Sequence, residues 1–284
     1  MILNILWYGL LGLMVGSFLN VVIYRLPIML YQRDIESDND LHQANLKLLL
    51  GSRRFNLAWP PSFCPHCKQR LSWWHNIPLL SFILLKGHCY YCAKPIAWRY
   101  PLVELITSLI TIWLFLFHYW LGLNTTWLIA ACLFSWIVLA IVILDLQHFM
   151  IPDELSLSLL WLGLFFNGVI LFMVEPRDAI IGAMAGYLCL WLIALGYSLV
   201  RDREGLGFGD LKFFAALGAW FGVYSLPRIL LASSLSALVV AGVNFILRFG
   251  FKKTRFFKSQ TVPFGPFLAL AGFIELLAYP YFNY

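Results

Sequence analysis

The chain has 284 residues, of which 61% are hydrophobic and only 12% charged, with a formal net charge of +6. An ordinary soluble domain carries about 25% charged and about 45–50% apolar residues, and no soluble core could hide this much apolar surface. The composition argues against a soluble enzyme, a disordered chain or a disulfide-rich secreted module, and for an all-α polytopic membrane protein.

A transmembrane helix needs about 20 apolar residues. Residues 3–24 predict the first, ending at Tyr24-Arg25-Leu26-Pro27. The run lacks a basic leader region and a small-residue cleavage site, and is too long for a signal peptide. After Pro101 the apolar runs return. They predict spans at 102–122, 126–144, 155–174, 179–200, 211–224, 227–247 and 262–280, about eight in all. The segment from Ile77 to Leu85 is apolar but too short to cross, which predicts an interfacial helix. Residues 28–63 read as a solvated insert, with an acidic stretch from Asp34 to Asp40 and helical character from Asn45 to Leu50. The expected division is a first transmembrane helix (1–27), a cytoplasmic loop domain (28–101) and a seven-helix membrane domain (102–284).

Lysine and arginine set the expected orientation. With the N-terminus outside, segments 25–101, 201–212 and 248–261 hold 18 of the 20 cations, and only Arg177 and Arg228 lie outside. The positive charge then faces anionic lipid headgroups rather than nucleic acid.

Six cysteines are present. Cys132 and Cys189 sit alone in apolar spans and read as small core residues. Cys64-Pro65-His66-Cys67 and Cys89-Tyr90-Tyr91-Cys92 form two C-x2-C pairs. Two such turns can complete a tetrahedral zinc site, and four thiolates leave no open position, so the metal would be structural. Disulfides are the alternative, disfavoured by the cytoplasmic placement. His66 and His88 read as solvated neighbours.

Acids at a membrane boundary call for a reason. Glu104 could pair with Arg99 or Arg25, and Glu275 lies where water is within reach. Asp145 ends an apolar run, and Asp210 follows Gly207-Phe208-Gly209 at a helix start. Both fall on the predicted cytoplasmic side. Two such carboxylates are the parts of an aspartyl protease dyad, in which one holds a proton and the other activates water. The two glycines would let a backbone approach. Asp210 could instead be only an N-cap, and Asp153 is a rival acid with its own N-cap role.

These parts together resemble the prepilin peptidases, or type IV leader peptidases. The resemblance runs through Gly16 to Pro27, both C-x2-C pairs, Asn76 to Ser81, Arg99-Tyr100-Pro101-Leu102-Val103-Glu104, Asp145 with Ile151-Pro152-Asp153, Gly207 to Asp210, and Pro263-Phe264-Gly265-Pro266. It implies cleavage of the basic leader of type IV prepilins and pseudopilins after a Gly, with Asp145 and Asp210 as the catalytic pair. It also implies N-methylation of the new N-terminal residue, usually Phe, from S-adenosylmethionine. The implied setting is the bacterial inner membrane. Candidates for holding the methyl donor are Gly16, Ser17, Asn20, Arg25, Arg99, Tyr100 and Glu104. Helix packing for Gly16 and Ser17, and boundary anchoring for Arg25 and Arg99, are their alternative roles. No glycine-rich dinucleotide-type turn is present. The competing functions are an ion-coupled transporter relaying through Asp145 and Asp210, and a zinc-knuckle scaffold without chemistry.

Overall fold

The computed structural model describes residues 1–37, 56–170, 173–201, 205–250 and 262–282. The acidic stretch beyond Ser37 and the expected helix over 45–50 lie outside the described residues. The described chain is helical, with isolated bridges pairing Phe63 with Arg70 and His88 with Pro95. It falls into two compact units, Met1–Asn124 and Thr125–Tyr284.

The first unit holds α1 (Ile2–Ser37), a 3-10 turn (Trp73–Asn76), the short α2 (Leu80–Leu84) and α3 (Arg99–Leu121). Helix α1 runs through Pro27 rather than ending there, so residues 28–37 extend the first helix and do not open the loop. Proline removes one N–H from the ladder, and the good helix formers that follow, such as Met29, Leu30 and Gln32, carry the helix on. Helix α3 packs along α1 within this unit, so the compact unit ends at Asn124, beyond the expected boundary at 101. Their backbones meet closely. The Ser108 hydroxyl donates to Gly9 O at 2.9 Å, and Tyr8 stacks on Phe115 with ring centroids 4.5 Å apart. Small residues at such a crossing are what helix pairs in lipid use.

The second unit holds α4 (Thr125–His148), α5 (Asp153–Ile170), α6 (Pro176–Arg201), α7 (Phe208–Phe221), α8 (Leu226–Gly250) and α9 (Gly265–Phe282). Its centre is α7. Every residue from Phe213 to Phe221 is buried. At 14 residues, α7 rises only about 21 Å, short of a hydrocarbon core of about 30 Å. The run predicted as a span at 211–224 is therefore an interior helix. Helices α5, α6 and α9 pack around it. A Cβ added at Gly218 would lie 2.2 Å from Gly182 O of α6, so the two backbones touch there. Trp220 Nε1 donates to Leu159 O of α5 at 2.8 Å. Asn167 fastens the far end of α7: its Nδ2 donates to Ala219 O and Trp220 O, and its Oδ1 accepts the N–H groups of Met173 and Val174.

Among the described residues, six helices are long and apolar enough to cross a membrane, and the last apolar helix, Gly265–Ala278, is shorter. With α7 these account for the eight predicted runs. The second unit also corrects two smaller expectations. Cys189 is exposed, not a core residue. Glu275 is not left to water but pairs with Arg228.

Candidate functional site

Three helix ends converge on Asp145. It lies in the last turn of α4 and is 5% exposed. The helix ends just beyond it because Phe149 turns left-handed (φ 53°) while its N–H still donates to Asp145 O at 2.9 Å. The Gly265 N–H, at the start of α9, donates to Asp145 Oδ2 at 2.9 Å. A Cβ at position 265 would lie 2.6 Å from that oxygen, so any side chain there would displace the carboxylate. Charge-assisted bonds of this kind fix a carboxylate firmly.

Asp210 is the third residue of α7. The N-cap position belongs to Gly207, whose carbonyl accepts the Asp210 N–H at 3.1 Å, so capping does not account for this acid. Asp210 Oδ1 is buried with no hydrogen-bond partner among the described residues. The charge of Asp145 acts on it directly. The glycine preceding it lets a backbone approach, as expected, with Ile151 O 3.0 Å from where its Cβ would stand. A Cβ at Gly209 would lie 2.8 Å from Ile151 Cβ, so the close neighbour is this chain's own α4–α5 turn. A Cβ at Gly207 would meet only the Asp210 carboxylate, at 3.4 Å. Asp153, the rival acid, is exposed and ion-paired with Lys212 at 2.5 Å.

The first unit brings together a second set of predicted residues. The Cys64 and Cys89 turns are built alike. In each, the cysteine N–H donates to the residue five further on (Gln69, Lys94), and its carbonyl accepts the N–H of the residue four further on (Lys68, Ala93). Lys68 and Ala93 both take left-handed backbone, φ 60° and 54°. The four sulfurs of Cys64, Cys67, Cys89 and Cys92 lie within 4.8 Å of one another, with Cys64 and Cys92 3.9 Å apart. A tetrahedral zinc with Zn–S bonds of about 2.3 Å needs sulfurs about 3.8 Å apart. All four thiols are free. Burial raises the Cys64 thiol, but the N–H groups of Cys67 and His66 and the thiols of Cys89 and Cys67 outweigh it and bring it to about 7. The Lys94 N–H lowers Cys92, yet burial and the other three thiols push it up to about 11. The Cys64 thiolate thus forms readily while Cys92 resists, a conflict that a cation among the four sulfurs removes.

Against these turns lies a cavity of about 390 Å³, within the range of small-molecule sites. Ser17, Asn20, Arg25, Arg99, Tyr100 and Glu104 line it. Gly16, the seventh candidate, does not. A Cβ there would lie 2.7 Å from Glu104 Cα, so its place is the α1–α3 crossing. The lining residues also brace one another. Asn20 Nδ2 donates to Tyr100 O at 2.9 Å. Arg25 donates to the carbonyls of Asn56, Leu57 and Pro60, which holds the segment entering the first cysteine turn. Glu104 Oε2 accepts the Leu79 N–H at 2.9 Å, and the Ser17 hydroxyl also bonds this carboxylate. A backbone amide and a hydroxyl thus engage the acid for which Arg99 or Arg25 was the expected partner.

Two residues escaped the sequence reading. Gly265 was visible only as part of Pro263-Phe264-Gly265-Pro266, with no sign that it serves Asp145. His75, in Trp73-Trp74-His75-Asn76, lines the cavity with no spacing signal to mark it.

Residues 10–118 match the family described as Bacterial Peptidase A24 N-terminal domain, and residues 132–242 match the Type IV leader peptidase family. Curated relatives named prepilin leader peptidase/N-methyltransferase align over nearly the whole chain. The protein from Aeromonas hydrophila is 43% identical, covering 94% of this chain and 88% of its own length. That from Pectobacterium carotovorum subsp. carotovorum is 42% identical, covering 95% and 93%. That from Legionella pneumophila is 40% identical, covering 97% and 93%. No solved structure matches the chain.

Proposed function

The chain belongs to the type IV leader peptidase family, and on that premise we propose that it is a bifunctional prepilin-processing enzyme. It removes the basic leader of prepilins and pseudopilins after a Gly, then N-methylates the new N-terminal residue from S-adenosylmethionine. The observation that carries the reading is the pairing of Asp145 with Asp210 where α4, α7 and α9 end or begin.

Two carboxylates whose charges act on each other do not both ionise readily, so the pair holds one proton. The ionised member takes a proton from water, which attacks the scissile carbonyl carbon. The protonated member donates to the carbonyl oxygen, and the proton taken from water passes to the leaving amine as the C–N bond breaks. Gly265 N–H holds Asp145 Oδ2, leaving its other oxygen for this chemistry. The transporter and scaffold readings are set aside, because the relatives are named as enzymes.

Cys64, Cys67, Cys89 and Cys92 hold a structural zinc, which ties the two cysteine turns into one wall of the cavity. That cavity is the methyl-donor site, and its donor set fits the molecule. S-adenosylmethionine carries an ammonium, a sulfonium, ribose hydroxyls and an aromatic base, and when bound supplies an electrophilic methyl group. Glu104 offers carboxylate charge to the cationic groups, and Tyr100 and Phe63 add aromatic surface to the wall. Asn20 and Arg25 keep the wall in shape. The protein is a multi-pass protein of the bacterial inner membrane, with its N-terminus periplasmic and the segment between α1 and α3 and both aspartates cytoplasmic.

The test is to incubate the purified protein with a prepilin, with and without S-adenosylmethionine, and weigh the products. Leader release in both samples and a methylated N-terminus only with the donor is the expected result. An intact prepilin in both would overturn the reading.

A further inference from the structure

His75 is 8% exposed and lies in the wall of the first-unit cavity. Its ring is held by neighbours: Trp74 at 3.7 Å, Tyr90 at 5.3 Å and Tyr91 at 5.7 Å between centroids. Nδ1 accepts the backbone N–H of Ser72 at 3.1 Å. A ring nitrogen that accepts a hydrogen bond carries no proton, so the proton of this imidazole is on Nε2. Burial also holds the ring below its ordinary pKa, which keeps it neutral. The Nε2–H is therefore a fixed, neutral donor. It is buried and has no partner among the described residues. A buried donor left unpaired is costly and uncommon, and the residue that carries this one lines the cavity.

We propose that His75 is a ligand-binding residue of the methyl-donor site, its Nε2–H donating to a purine nitrogen of S-adenosylmethionine. The proposal rests on the reading of this cavity as the donor site. The neutral acceptor follows from the ring's own state. A carboxylate would favour a doubly protonated ring, and Nδ1 cannot be protonated without losing the Ser72 bond. The aromatic residues in the cavity wall, Phe63, Phe82 and Tyr100, suit a purine as well.

The experiment measures binding rather than turnover. The full chain, purified in detergent with its zinc content assayed, is titrated with S-adenosylhomocysteine and with 5′-methylthioadenosine, which keeps the purine and lacks the carboxylate. His75→Phe keeps the ring and removes the donor. It should weaken both ligands about ten-fold, while His75→Gln, which restores an N–H, should stay within about three-fold of the parent. Unchanged affinity in His75→Phe overturns the proposal, as does a loss confined to S-adenosylhomocysteine, which would place the contact at the carboxylate. If His75→Phe loses its zinc, protein labelled with 15N at histidine decides. A shift of the Nε2 signal on adding S-adenosylhomocysteine supports the contact, and no shift overturns it. Ser17→Trp, which fills the cavity, tests the underlying reading separately. If that variant binds as the parent does, the cavity is not the donor site. If it abolishes binding and His75→Phe does not weaken it, the cavity stands and only the role of His75 falls.

Discussion

The two units make sites in opposite ways. In residues 125–284 the site is a place where space has been removed. Gly265 lets a backbone N–H reach Asp145, Gly209 lets Ile151 sit against the start of α7, and the buried α7 holds Asp210 in place. In residues 1–124 the site is space left over. Helices α1 and α3 close on each other through small residues, and the cavity opens where the middle of α1 and the start of α3 meet the two cysteine turns. A proton-sharing acid pair needs closeness and loses its function when pushed apart. A site for a small cationic donor needs room and loses its function when filled. The same sequence device, a glycine at a close approach, positions the proposed catalytic pair in one unit and serves only scaffolding in the other, as Gly16 illustrates.

Substitutions should respect that contrast. The largest effect is expected from Asp145→Asn or Asp210→Asn. Leader cleavage should fall on the order of 10³-fold or more, because one amide removes the shared proton chemistry. Residual cleavage near the parent rate in either variant would break the pairing. Cys89→Ser should come next. Loss of a proposed zinc ligand should weaken methyl-donor binding on the order of 100-fold, with zinc lost by metal analysis, while cleavage changes far less. Equal loss of both activities would show that the units are not separable in this way. Gly265→Ala should lower cleavage about 10- to 100-fold with little change in donor binding, since the added Cβ would collide with Asp145 Oδ2. The smallest effect is expected from Asp153→Ala. Its exposed pair with Lys212 contributes about 0–1 kcal/mol, and cleavage should stay within about three-fold of the parent. A collapse of activity there would revive Asp153 as a catalytic acid.

Much of this was legible before the fold was seen, and the reasons differ by residue. Asp145 and Asp210 stood out because an acid beside a long apolar run has few cheap explanations. The cysteines stood out because C-x2-C is a local geometry, complete within four residues. Six of the seven proposed donor-site residues line one cavity, because they lie on the middle of α1 and the start of α3, which pack side by side. What stayed hidden was long-range or depended on packing. Gly265 and Asp145 are 120 positions apart, and no local pattern joins them. Helix α7 has the hydropathy of a span, and only its length and surroundings mark it as interior. The continuation of α1 through Pro27 reflects the residues that follow outweighing one missing N–H. His75 depends on the direction of a single backbone bond from Ser72.

The central claim is that cleavage and methylation use different sites in different units. One measurement addresses it directly: purified Asp210→Asn protein is given a pilin whose leader has already been removed, together with labelled S-adenosylmethionine. Methylation at the parent rate, from an enzyme that cannot cleave, is the predicted result. Loss of methylation alongside cleavage, with zinc content and donor binding intact, would contradict it.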